Sequence, residues 1–404
     1  MKRVTTWISG LLLLFLAGCW SSQELPDLAL ISAVGMDATG DGQYAATFQV
    51  INPGNVAGEG TLSRGGSESP PVTTYSSTGP TMTEVNRRVS EKVSRRPYYA
   101  HTNLLVVGEQ LAREEGLEKV FDAFERDPEF RTTTRVIIAE GTTAGEFVTA
   151  LTSLDKIPAN KVIKTLETTE SFWGEHKDTN MREVLKHVGQ SGHEPLVSIF
   201  TLHGDEEKGK KIDNIQTTSP EARLEATGMA VMQDGKMIDR ISNEASRGAL
   251  WVLDDIQKTA VSLDWKGQKD ALVFQIVRNK TDVSVRIQDN LPVFDIQVST
   301  EGEVGEAHVP INVSNPFLSG TVEKKSGEEI KKIIEQAVAK AQELQTDYLG
   351  FGELLHRKDP KLWRKLEKTW NEDHFPTVEV NVNADAYIRR SGLRNEPTFS
   401  EDVE

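Results

Sequence analysis

The stretch HTNLLVVGEQLAREEGLEKVFDAFERDPEFRTTTRVIIAEG, from His101 to Gly141, reads as strand, helix and strand. Leu104 to Val107 form a short continuous apolar run, the pattern of an inner strand covered on both faces. Leu111, Leu117, Val120, Phe121 and Phe124 recur at helical spacing, with Gly116 breaking the stripe. Elements in this order call for a sheet with helices laid against it.

Working outward towards the N-terminus, residues 28 to 37 and 43 to 51 carry strand patterns joined by the turn-forming cluster Asp37 to Gly42. Asn52 to Pro71 is rich in Gly, Ser and Pro and is expected as a mobile loop. Thr81 and Glu84 have capping-box spacing, and Met82, Val85, Val89 and Val93 follow on one helical face until Pro97. Towards the C-terminus, helices are expected at about 143 to 152 and 180 to 189, then a strand at 195 to 202.

The polar, charge-dense stretch 203 to 221, closed by Ser219-Pro220, marks the expected domain boundary. GMAVMQDGKMIDRIS, residues 228 to 242, predicts a hairpin across Asp234-Gly235. A helix at about 242 to 257 and strands at 271 to 278, 282 to 288 and 293 to 300 follow. Ser326 with Glu329 reads as the capping box of a helix whose apolar face runs through Ile330, Ile333, Ile334, Ala337, Val338, Ala341 and Leu344. Pro360 opens a last helix with Leu362, Trp363, Leu366 and Trp370, and TVEVNVNADAYI, residues 377 to 388, closes the fold as an alternating strand. The expected class is α+β, with two to three successive domains of mixed or antiparallel sheets packed by helices. The expected division is a leader at 1–18, an α+β domain at 19–202 open to subdivision, a linker at 203–221, and an α+β domain at 222–404.

The N-terminus points to a compartment. Lys2 and Arg3 precede the apolar run Leu11 to Leu16, shorter than the about 20 residues of a membrane span but suited to a signal peptide. Leu16, Ala17, Gly18 and Cys19 then have the pattern of a bacterial lipobox: small residues admit the peptidase, and the Cys19 thiol accepts the diacylglyceryl group before cleavage between Gly18 and Cys19. Cys19 is the single cysteine of the chain, which removes disulfide frameworks, cysteine zinc clusters and CxxC redox pairs from consideration. A net charge of -15 opposes binding to nucleic acid and to anionic headgroups, so a lipid rather than a basic patch would have to hold the body at a membrane.

Motifs that imitate chemistry are incomplete. Gly204, Gly209 and Lys210 start a phosphate-loop pattern, but Lys211 stands where a magnesium-binding hydroxyl belongs. Asp37, Thr39, Asp41 and Gly42 start a calcium loop whose twelfth position is Phe48. His187 and His193 are six apart and do not stack on one helical turn, so loop histidines are expected and no metal site is assigned. The adjacent pairs Glu114-Glu115 and Asp254-Asp255 diverge on a helix and make no acid/base couple. No catalytic residue and no cofactor is expected. Trp363 with Trp370, and the RDPEFR segment from Arg126 to Arg131, read as core packing and loop-ordering ion pairs, or else as partner-docking surfaces.

These segments together resemble the Ger(x)C-type lipoprotein C subunits of bacterial spore germinant receptors. The resemblance begins at LAGCW and ELPDLALISAVGMD, with Cys19, Glu24, Leu25 and Asp27, and continues through HTNLLVVGEQLAREEGL and RDPEFR. It returns in GMAVMQDGKMIDRISNEASRGALW, DYLGFGELLHRKDPKLWRKLEKTW and FPTVEVNVNADAYIRRSG, covering nearly the whole chain. It implies successive mixed α and β domains, a place on the outer face of the inner spore membrane, and function beside two integral-membrane partners, the A and B subunits. It carries over one site residue, the lipid-bearing Cys19, and implies no enzyme activity. The alternative is a solute-binding lipoprotein that captures the nutrient itself, a class that needs two lobes and a polar cleft.

Overall fold

The computed structural model describes residues 25–56, 69–188 and 192–390. The leader, Gly18, Cys19 and the centre of the Gly/Ser/Pro loop lie outside the described residues.

The N-terminal half builds one mixed sheet. Strands β1 (Leu28–Ala38) and β2 (Tyr44–Ile51) form the expected antiparallel pair, and β3 (Val72–Gly79) adds to β2. Helix α1 (Met82–Arg88) is capped by Thr81, whose hydroxyl accepts from the Glu84 amide, and β4 (Arg96–Tyr98) lies beside the start of β1. The opening stretch then becomes β5 (Leu104–Gly108), α2 (Glu109–Glu114), α3 (Leu117–Glu125) and β6 (Arg135–Glu140). Gly116 divides the two helices at φ 87°, and a Cβ there would come within 2.8 Å of the Gly235 carbonyl oxygen. Conformation and space both require glycine at that point.

Strands β5 and β6 pair in parallel, Leu104 opposite Arg135, so the helices between them form a crossover. Further on come α4 (Ala144–Thr149), α5 (Pro158–Phe172), α6 (Met181–Val188), β7 (Leu196–Gly204), β8 (Ala222–Gln233) and β9 (Lys236–Ile241). The order is β3-β2-β1-β5-β6-β7-β8-β9, with β4 attached to β1. On one face Val85, Leu111, Val120, Phe121, Phe124 and Val184 pack on the sheet. On the other, Phe147, Val162 and Leu166 do. Covering on both faces is why β5 and β6 are apolar without alternation.

Helix α5 is not foreseen from the sequence: its outer face is a polar run, and only Pro158, Ala159, Val162, Ile163 and Leu166 are buried. The stretch 203–221, expected as an interdomain linker, connects two strands of one sheet, for β7 and β8 pair across it from Leu196↔Val231 to Gly204↔Ala222. The first sheet therefore runs to Ile241, and the second begins at Thr259.

Between them lies α7 (Asn243–Val252), which ends sooner than the helix expected to 257, because Asp254 takes a positive φ of 62°. Strands β10 (Thr259–Trp265), β11 (Gln268–Gln288) and β12 (Leu291–Ala307) form an antiparallel meander. The two strands expected at 271–278 and 282–288 are a single one, with an irregularity between Ile276 and Arg278. Helix α8 (Pro316–Glu343) starts ten residues before the expected Ser326; Asn315 caps it, Pro316 occupies its first turn, and Ser326 is buried mid-helix with its hydroxyl on the Val322 carbonyl. Helices α9 (Phe351–Lys358) and α10 (Pro360–Leu366) lead into β13 (Glu379–Arg390), which joins β12 in parallel. The fold is α+β, in two domains built on two mixed sheets.

Candidate functional site

A buried, multiply bonded carboxylate lies where the two domains meet, in the segment TDYLGFG from Thr346 to Gly352. Asp347 is fully buried, and its carboxylate accepts the Phe351 amide at 3.1 Å, the Gly352 amide at 2.6 Å and the Trp370 indole N–H at 2.8 Å. Burial pushes its pKa up to about 6, against the pull of those donors. The bonds hold the first turn of α9 in place, and Trp370 fixes the following segment to the same point. The Trp370 ring packs against Phe294, Trp363 and Phe375, and Phe351 stacks on Phe294.

The other domain reaches the same segment through residues 192–194. The Glu194 amide donates to the Asp347 carbonyl at 2.8 Å, and the Glu353 amide donates to the Gly192 carbonyl at 2.9 Å. Gly192, at φ 93°, leaves no room for a Cβ, which would stand 2.7 Å from the Trp363 ring. Glu194 is buried with Asn371 at 3.5 Å; burial, then the charge of Asp234, pushes its pKa up to about 7.

Beside this contact the structure unites His187 and His193, expected as independent loop residues. His187 stands in the last turn of α6 and His193 shortly before β7, and their two rings lie 3.9 Å apart, centroid to centroid, at 46°. His193 Nδ1 sits 3.2 Å from Glu353 Oε2, and Lys186 Nζ is 3.7 Å from Glu353 Oε1. Burial lowers the pKa of both imidazoles, that of His187 to about 3, so both rings are neutral at pH 7. For Glu353, burial works upward but the His193 bond and the Lys186 charge outweigh it, and the net shift is down. One donor atom from each of His187, His193 and Glu353 lies within 4.8 Å of the others. Glu353 is 160 residues from His193, so no sequence spacing could show this group.

The remaining candidates are dispersed. Asp37 does not join Asp41 but caps α4 through the Ala144 and Gly145 amides at 2.8 and 2.9 Å. Lys210 pairs with Glu207, and Gly209 is buried against Ala222 rather than open to a phosphate. Glu115 takes the Tyr44 hydroxyl and Lys119 while Glu114 takes Gln110, and Asp254 holds Lys280 while Asp255 holds Lys177. Trp363 and Trp370 are core residues. In RDPEFR, Asp127 accepts the Glu129 amide, Glu129 pairs with Arg96, and Phe130 packs on Phe124. The segment is thus an ordered loop, and it borders a groove of about 410 Å³ lined by Arg87, Arg96, Tyr99, Arg126 and Glu129 among others.

Comparison with known proteins matches both halves. Residues 21–202 fit the family described as spore germination protein N-terminal domain, and residues 227–392 fit spore germination B3/GerAC like, C-terminal. Spore germination protein KC of Bacillus subtilis (strain 168) is 41% identical over 383 residues, 95% of this chain and 94% of that one. The chain belongs to the GerAC-like family of spore germination proteins. Spore germination protein B3 of the same organism is 26% identical, over 89% of this chain and 91% of its own length. The crystal structure of the GerBC protein shares the fold, with a TM-score of 0.54 and 20% identity, covering 88% of this chain and 97% of that one. Membership of the GerAC-like family carries a role in spore germination.

Proposed function

We propose that the protein is the lipid-anchored, non-enzymatic C subunit of a spore germinant receptor, held on the outer face of the inner spore membrane beside integral-membrane A and B subunits. The observation that carries this reading is a family match across both domains, joined to a lone cysteine directly behind a short apolar run. Residues 1–18 are removed in this reading, and the lipid on Cys19 supplies the attachment; two acyl chains anchor stably where one does not. Among the described residues no helix is long and apolar enough to cross a membrane. Confinement to the bilayer raises the effective concentration of partners, so a modest interface suffices for assembly.

Co-isolation from detergent-solubilised spore membranes tests the assembly. The A and B subunits should accompany the chain, and deletion should abolish nutrient-triggered germination while leaving spores viable; a chain that purifies alone, with deletion spores that germinate normally, would refute the proposal. The groove beside RDPEFR supports a second reading, in which the body captures a small nutrient. A thermal-shift screen with amino acids and sugars separates the two, since a ligand at a hundred times its Kd stabilises by about 2.7 kcal/mol.

A further inference from the structure

We infer that His187, His193 and Glu353 form a binding site for one zinc-like divalent transition metal, which ties the two domains together. Two imidazole nitrogens and one carboxylate oxygen make a donor set suited to zinc and its neighbours, and poorly suited to calcium or magnesium, which prefer oxygen throughout. Three protein ligands with a fourth position left to water is a common zinc arrangement.

The geometry is close to what such an ion needs. Donors about 2.0–2.2 Å from a tetrahedral centre stand about 3.4 Å from one another. His193 Nδ1 and Glu353 Oε2 are already at 3.2 Å, and the three donors lie within 4.8 Å of one another, so a closure of at most about 1.4 Å brings all three to that spacing. His187 Nδ1 is buried without a hydrogen-bond partner among the described residues, an arrangement that costs stability when nothing satisfies the atom. The supports are tied to one another: Glu353 lies in the turn of α9 that Asp347 caps, with its own amide on the Gly192 carbonyl next to His193. The Lys186 ammonium, 3.7 Å from the second Glu353 oxygen, opposes a cation, and the charges of Lys177 and Arg357 also reach the site.

The ligands come from both sides of the joint, so the metal would stabilise the contact between domains. This does not depend on lipidation or on receptor assembly, because the test reads metal uptake alone. The untagged full-length chain in detergent is dialysed against zinc chloride with a competing chelator, and bound zinc is counted. The expected result is one tightly held zinc per chain, a thermal midpoint that rises with zinc and falls with chelator, and a cobalt-loaded form whose visible absorption zinc erases. His187→Gln and Glu353→Gln should each weaken binding by at least about tenfold. Lys186→Gln, at an exposed position that does not threaten folding, should tighten it. Failure to retain stoichiometric zinc, or affinity unchanged in all three variants, would overturn the inference.

Discussion

Removing the Asp347 carboxylate leaves an indole N–H and two backbone amides buried without an acceptor, which makes it the most sensitive residue of the joint. Asp347→Ala should cost about 2–4 kcal/mol, read from denaturant unfolding, whereas Asp347→Asn, which keeps an acceptor, should cost clearly less. Equal losses would show that the hydrogen bonds are not what matters there. His176 sets a second expectation. It is buried, both ring nitrogens lack partners among the described residues, and burial lowers its pKa from 6.5 to about 4. The folded state thus excludes the proton that the unfolded chain takes up: stability is complete above pH 6.5 and falls as the pH drops towards 4, by up to about 3 kcal/mol from this residue. Stability curves of the wild type and His176→Leu should converge near neutrality and separate in that acid window; parallel curves would mean the ring is not shielded. The Trp363 and Trp370 positions were readable in advance, because large aromatics at helical spacing usually face a core. Asp347 was not, since its indole partner is 23 residues away and the fold alone brings it near.

Helix starts show how local signals compete. Ser326 and Glu329 have capping-box spacing, yet the helix begins at Asn315-Pro316, a polar cap followed by the residue best suited to the first turn. The apolar face becomes obvious only from Ile330, so the earlier, more polar turns carried little periodic signal. Asn315→Ala should therefore cost about 1 kcal/mol and Ser326→Ala close to nothing, measured in the same unfolding assay. The reverse ranking would place the cap at Ser326. Strand pairs joined by short turns were legible, β1 with β2 at nearly their true limits and β8 with β9 at the Asp234-Gly235 turn, although β8 begins at Ala222, six residues before the expected start. Helix α5 was hidden because one apolar stripe of five residues lies within a polar fifteen-residue segment.

For the molecule as a whole, the connection at 203–221 shows the limit of composition as a guide. A charged stretch reports exposure, not membership of a sheet, and here it caps a strand pair. The two domains also share a core: Leu196, Met229, Val231 and Ile241 from the first sheet pack in one cluster with Trp251, Ile330, Phe351 and Trp370. Domains with separate cores commonly unfold in separate steps, but a shared one couples them. Calorimetry should accordingly find a single cooperative transition, and two resolved peaks would show that the joint does not transmit stability.

The body so held together is proposed to work only at a membrane, and that rests on the chemistry of Cys19. Mass spectrometry of the mature chain from spore membranes is the most direct check. The N-terminal residue should be Cys19 carrying a diacylglyceryl thioether, with residues 1–18 gone. A free Cys19 thiol, or an intact leader still attached, would contradict the lipid anchor.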